Sequence, residues 1–416
     1  MWHLRISKLF FAVVMTAVLA CLSFVPGLPL SSAEATHKKP AVDSPVARLQ
    51  ERIDRGEVQL QFDGQFGYLR SVMKELQLSP SSQSLIFSKT SLQVERVGPQ
   101  TPHAVYFTDD VAVGYVAGSN VLEFAALNPK DGVMDFYTLR QTNTGPVHFE
   151  KKFGCNQCHW TPVTLKVPGM LSRSVFPDHS GELVPQARVF NTTHETPLQQ
   201  RWGGWYVTGN TGKQLHMGNA MVREGGQPED LQTEDMQNLP DLSERIDTGR
   251  LLTPYSDVVA IMTLEHQAHM VNLILRATYV WDEGPRTIDT AVENLVKYML
   301  FTQEARLTAP VRGTSGFAQE FAGRGPRDKK GRSLRDFDMR ARMFRYPCSY
   351  MIYSDGFDGI PANVRDRIYR RLWQVLTGQD TSPQFARLSS ADRKAILEIL
   401  RDTKKRLPAY WLEQTR

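Results

Sequence analysis

The sequence predicts an α+β fold: an antiparallel β-meander, then a loop-rich region, then a mainly helical C-terminal part. Three observations predict it. Four short β-branched and aromatic runs are Ala104 to Phe107, Val111 to Val116, Val121 to Ala126 and Val133 to Leu139. Asp109-Asp110, Gly118-Ser119-Asn120 and residues 128–132 separate them, the pattern of strands joined by tight turns. From Asp257 to Trp281, residues Val259, Met262, His266, Met270, Leu273 and Ala277 recur three and four apart, which is one face of a helix. Between these blocks, Phe153 to Asp230 is rich in Gly, Pro, Trp and Asn and has weak periodicity.

The other elements follow in chain order. Residues 46–56 and 68–78 read as two short helices before the meander. Gly284-Pro285 ends the long helical stretch, and Ile288, Val292, Leu295, Val296 and Met299 mark the next helix. Pro361 opens another, with Gly378 beyond its end, the usual placement of these two residues. Ser389 with Asp392 has the form of a capping box for a last helix.

The first 35 residues read as an export signal rather than as part of the fold. Arg5 and Lys8 precede an apolar run of about 16 residues, Leu9 to Phe24, and Ala33-Glu34-Ala35 has small residues where a signal is cut. Two rival readings are an uncleaved anchor and lipidation at Cys21. No twin arginine is present, so the chain is expected to cross unfolded and to work in the periplasm. It contacts a membrane only if the N-terminal segment is kept or Cys21 is lipidated. No later apolar stretch reads as long enough to span a bilayer. The expected organisation is a signal at 1–35, an α+β region with the meander at 36–150, and a mainly helical region at 151–416.

Composition is that of an ordinary globular protein. The chain has 416 residues, 41% of them hydrophobic and 22% charged, which excludes general disorder and a multi-span membrane protein. A formal charge of +5 is too weak a signal for nucleic-acid binding, and no such partner is expected. Four cysteines exclude a disulfide scaffold.

Three of those cysteines lie beyond the signal: Cys155, Cys158 and Cys348. The first two belong to Cys155-Asn156-Gln157-Cys158-His159, the C-x-x-C-H signature of covalent haem attachment. The spacing has a chemical reason. Two thiols add across the two porphyrin vinyl groups, and residues three apart on a helical turn share one side. His159 then follows as the proximal iron ligand. Zinc would need a second ligand pair, which the cysteine count does not supply. The same count limits the chain to one haem c. Cys348 reads as a small buried residue or, alternatively, as half of an intermolecular disulfide.

Here the chain resembles c-type cytochromes. The wider surroundings are similar to a group of large bacterial monohaem cytochrome c domain proteins of undefined function. The stretches Arg201 to Gly209, His216-Met217-Gly218-Asn219 and Leu264-Glu265-His266-Gln267 carry that likeness. The resemblance implies a cytochrome c-like haem environment and electron transfer with periplasmic redox proteins, and no particular substrate.

The sixth iron position sets the chemistry. Methionine raises the potential, histidine lowers it, and an open site admits small ligands. Met217 is the first candidate, because it follows the motif by some tens of residues in a Gly-containing loop. His216 and His266 are rivals, and Met170 is nearer the motif. His266 also reads as a core histidine. Glu265 and His269, four apart, read as an exposed pair.

Trp160, Trp202, Trp205 and Tyr206 are candidates to pack on the porphyrin, and Arg173 and Arg201 to pair its propionates. The basic stretch Arg324 to Arg345 reads as a solvated face or as a docking site for an acidic redox partner. The expected function is one-electron transfer. A haem-dependent oxidoreductase or peroxidase, with His266 or His216 as acid/base, is the alternative, together with a haem-based small-ligand sensor.

Overall fold

The computed structural model describes residues 43–412. The residues read as an export signal and its cleavage site, and Cys21, lie outside the described residues. The fold is mixed α and β, built on a seven-stranded antiparallel sheet in the order β6-β5-β4-β3-β2-β1-β9. The predicted meander is its centre: β2 (His103–Phe107), β3 (Val111–Val116), β4 (Val121–Asn128) and β5 (Val133–Arg140). Three short strands extend it: β1 (Ser84–Ile86), β6 (Phe149–Lys151) and β9 (Trp205–Tyr206). Two-residue strands β7 (Arg173–Ser174) and β8 (Phe190–Asn191) form a separate pair. Thus β9, from beyond residue 150, completes a sheet begun before it.

The period-2 alternation of strands gives the sheet two different faces. On one, Ala104, Tyr106, Val113, Leu122, Phe124 and Leu139 pack with α1 (Pro45–Asp54) and α2 (Leu69–Glu75). Helix α1 begins cleanly because the Ser44 side chain caps it and Pro45 occupies its first turn. On the other face, Phe107, Leu127, Met134 and Phe136 join the larger core around α4 (Val258–Tyr279).

Helix α4 is long and apolar enough to cross a membrane by length and composition, which corrects the expectation that no later stretch is. Of its 18-residue apolar window 94% is buried inside the protein, as in a core helix. Asp257 caps it: Oδ1 accepts from Val259 and Ala260 N–H at 2.7 and 3.2 Å, and Oδ2 from Thr314 and Ser315 N–H, both at 2.7 Å. One carboxylate therefore ties the start of α4 to a distant loop.

Around α4 stand α5 (Pro285–Met299), α8 (Ala362–Leu376) and α9 (Ser390–Thr403), with short α6 (Phe317–Gly323) and α7 (Asp355–Asp358) between. The predicted capping box at Ser389 and Asp392 is formed. A one-turn helix, α3 (Asn156–His159), carries the C-x-x-C-H motif.

The last third is less helical than predicted. Residues 324–349 form loops, held by side chains rather than by backbone ladders. The Arg335 guanidinium lies 4.5 Å from the ring centres of both Phe321 and Tyr350 and pairs with Asp109. Arg327, Lys330, Arg332 and Arg342 pair with Asp336, Glu398, Asp328 and Asp392. The basic run is therefore largely neutralised by carboxylates of its own chain.

Candidate functional site

The motif hangs directly from the sheet. Edge strand β6 ends at Lys151, Lys152 N–H bonds the Phe136 carbonyl at 2.7 Å, and a 3-10 turn, Phe153–Cys155, leads into α3. Cys155 is half-buried, Cys158 is exposed, and neither is in a disulfide. The two sulfurs are thus free for thioether chemistry.

His159 is fixed from behind. Its Nδ1 is 2.8 Å from the Gly169 carbonyl, and Gly169 N–H donates back to the His159 carbonyl at 2.9 Å. A carbonyl only accepts, so Nδ1 carries the proton and Nε2 keeps its lone pair. That is the tautomer a metal ligand needs. Burial lowers the affinity of this ring for a second proton. The ring also packs against Phe136 on β5, with ring centres 4.5 Å apart.

The support reaches the main core. Asn272 on α4 accepts from Met170 N–H at 2.7 Å and donates to the Met170 carbonyl at 2.8 Å. A Cβ at Gly169 would collide with the Asn272 amide, so this approach requires glycine. The order of control is α4, Asn272, the 169–170 backbone, then His159.

Cys155, Cys158 and His159 line one cleft of about 360 Å³. Its floor is the second face of the sheet. Val105, Ala112, Gly114, Ala125 and Phe136 are on this floor, and Trp205 and Arg173 form a wall. Trp205 Nε1 donates to the Arg173 carbonyl at 2.7 Å, which fixes that wall. Arg173 Nε is buried with no hydrogen-bond partner.

These residues fit a covalent porphyrin: two unbridged thiols, an imidazole in the ligating tautomer, a floor of small side chains, and an unpartnered guanidinium N–H for a carboxylate. Among the described residues no group of three or more His, Cys, Asp or Glu is placed to hold a metal ion.

The other predicted residues lie elsewhere. Met217 is buried behind the Arg173–Ser174 strand, and its Sδ accepts from Ser174 Oγ at 3.5 Å. His216 is buried edge-on to Trp202, with its Nδ1 accepting from Gly218 N–H at 3.1 Å. His266 sits in the α4 core, 2.8 Å from His194 between Nδ1 atoms and 2.7 Å from Ser349 Oγ through Nε2. None of the three lines the cleft with His159. Met170 does, while packing against the main core.

Trp202 is fully buried, Trp160 is 48% exposed, and Tyr206 serves the opposite sheet face, bonding the Pro99 carbonyl. Arg201 is sealed in an ion pair with Glu265, at 3.3 Å, away from the cleft. Glu265 is therefore a buried residue, and the exposed Glu265–His269 pair expected from the sequence does not form. Burial raises the Glu265 carboxyl above its usual range, while Arg201 draws it down. Cys348 is fully buried, and burial raises its thiol pKa.

Sequence reading missed the floor of the cleft, including His103 and Glu123. The signal was present: His103 continues the alternation of Val105 and Phe107, one residue before the strand was expected to start. Comparisons with protein-family models, curated proteins and solved structures give no match to this chain.

Proposed function

We propose that the protein is an exported monohaem c-type cytochrome that passes single electrons between periplasmic redox proteins. The observation that carries this reading is the convergence of Cys155, Cys158 and His159 on one cleft, with His159 locked in its ligating tautomer by Gly169. Bound there, a haem supplies a one-electron couple at its iron. The chain's own residues do the rest. Cys155 and Cys158 tether the cofactor, Gly169 and Asn272 hold His159 in place, and Arg173 offers an N–H to a propionate. The sheet floor excludes water from that side.

Phe153 and Trp160 flank the motif and are 72% and 48% exposed, apolar surface beside the attachment point of the kind redox partners cover. This surface is a better docking candidate than the neutralised 324–345 stretch.

A haem-dependent oxidoreductase or small-ligand sensor is the second reading. It is favoured by one observation: Met217, His216 and His266 all lie off the cleft, so none of them fills the sixth position there.

The test is a reversible redox titration of the purified protein, followed optically. A single one-electron wave, and electron exchange with a small redox protein, support the carrier. Irreversible bleaching, or turnover of peroxide at rates far above the electron exchange, sinks it.

A further inference from the structure

The cleft holds one more side chain suited to iron. His103 opens β2 and is 8% exposed. Its side chain shares the sheet face of the floor, as the register shows: Val105 pairs with Gly114, Gly114 with Glu123, and Glu123 with Thr138. On the same face, Ala112 pairs with Ala125, and Ala125 with Phe136, which touches His159. From Phe136 on β5 to His103 on β2, the floor is Ala125, Ala112 and Gly114. A stripe of methyl groups and one bare backbone thus separates two imidazoles that line one cleft.

His103 Nε2 is buried and has no hydrogen-bond partner. Glu123 Oε2 is 3.4 Å from it, while Glu123 Oε1 is held by Gln93 Nε2 at 2.8 Å. Gly114 is the seat of the ring: a Cβ there would collide with Nε2 itself. An unpartnered buried imidazole nitrogen is costly unless something uses it. Met170, which also lines the cleft, is tied through both backbone polar groups to Asn272, beside the Gly169 carbonyl that backs His159. That places its backbone on the proximal side.

We infer that His103 is the second protein ligand of the haem iron, standing across the Ala–Gly stripe from His159. The inference rests on the haem reading above and deepens it, since two imidazoles give a saturated, low-potential, electron-transferring iron. Gly114 and Glu123 are positioning residues for this ring.

Absorption and electron paramagnetic resonance spectra of the purified haem-loaded protein test it, with His103→Ala, His103→Met and Met217→Ala compared. Wild type is expected to be low-spin with two nitrogen ligands and indifferent to carbon monoxide. His103→Ala is expected to lose the low-spin signal, to bind carbon monoxide when reduced, and to regain the low-spin signal with added imidazole. His103→Met is expected to remain haem-loaded and to take the near-infrared band of nitrogen–sulfur ligation. It keeps the test decisive if the alanine variant fails to fold. Met217→Ala is expected to match wild type.

A high-spin wild type, or an unchanged low-spin spectrum in His103→Ala, overturns the inference while leaving covalent haem intact. Purified protein with no covalent haem overturns both readings.

Discussion

Replacing Arg201 by methionine isolates a buried charge in the protein interior, the carboxylate of Glu265. Arg201 and Glu265 are 2% and 0% exposed. The guanidinium also donates to the Thr196 carbonyl at 2.6 Å and to the His194 carbonyl at 2.9 Å, so three groups lose a partner at once. Breaking a buried pair by removing one member costs about 3–5 kcal/mol, a large part of a typical domain's stability of roughly 5–15 kcal/mol. Urea unfolding followed by circular dichroism reads the loss.

The pH dependence has a definite sign. Burial already raises the Glu265 carboxyl, and losing Arg201 raises it further. A raised carboxyl favours the folded state at low pH, and that stability is lost as pH rises through the folded pKa. The deficit of Arg201→Met relative to wild type is therefore smaller at pH 5 than at pH 8. Adding Glu265→Gln to the variant removes the stranded charge and recovers at least half of the loss at pH 8. A single variant within about 1 kcal/mol of wild type at both pH values refutes this reasoning, as does a double variant less stable than the single.

Three other outcomes are expected. Asn272→Ala frees both Met170 backbone groups, costs about 1–3 kcal/mol, and raises the haem midpoint potential by weakening the hold of Gly169 on His159 Nδ1; an unchanged potential in a folded variant would show that this support is not transmitted. Asp257→Ala strands four backbone N–H groups, two at the start of α4 and two at Thr314 and Ser315, and lowers stability by about 3 kcal/mol or more in the same urea assay. Burial holds His269 down at about 4, against 6.5 for a free ring, so its stabilising contribution is complete above pH 6.5 and falls as pH drops. At pH 5 it has lost about 2 kcal/mol, and His269→Gln flattens the stability slope between pH 7 and 5 by that amount. The variant comparison is needed because Asp110 and Glu304, both raised to about 7 by burial, gain stability over the same fall in pH.

The meander, α4, α5, α8 and α9 were legible because each carries its own local signal: alternation, a three/four stripe, a proline start or a capping box. Strands β1 and β9 were not, because Ser84–Ile86 and Trp205–Tyr206 are too short to show a period and are defined by long-range pairing, β1 with β2 and β9 with β1. Residues 324–349 misled for the opposite reason. Their arginines suit a helix, but stacking on Phe321 and Tyr350 and pairing with Asp109 outweigh local propensity.

In the candidate site, Cys155, Cys158 and His159 stand out in the sequence because the proposed thioether attachment demands a contiguous motif. The support from Gly169 and Asn272 was not, since Asn272 lies 102 residues from Met170 along the chain. The role proposed for His103 was hidden similarly. Its relation to His159 is created by the register of four strands and by the smallness of Ala112, Gly114 and Ala125, and none of these is a motif.

The most direct test of the central claim is the intact mass of the exported protein under denaturing conditions, measured beside Cys155→Ser/Cys158→Ser. Wild type is expected to be a mature chain heavier by one haem, resistant to acid–solvent extraction, with no added mass in the double variant. A wild-type mass equal to the bare polypeptide would contradict it.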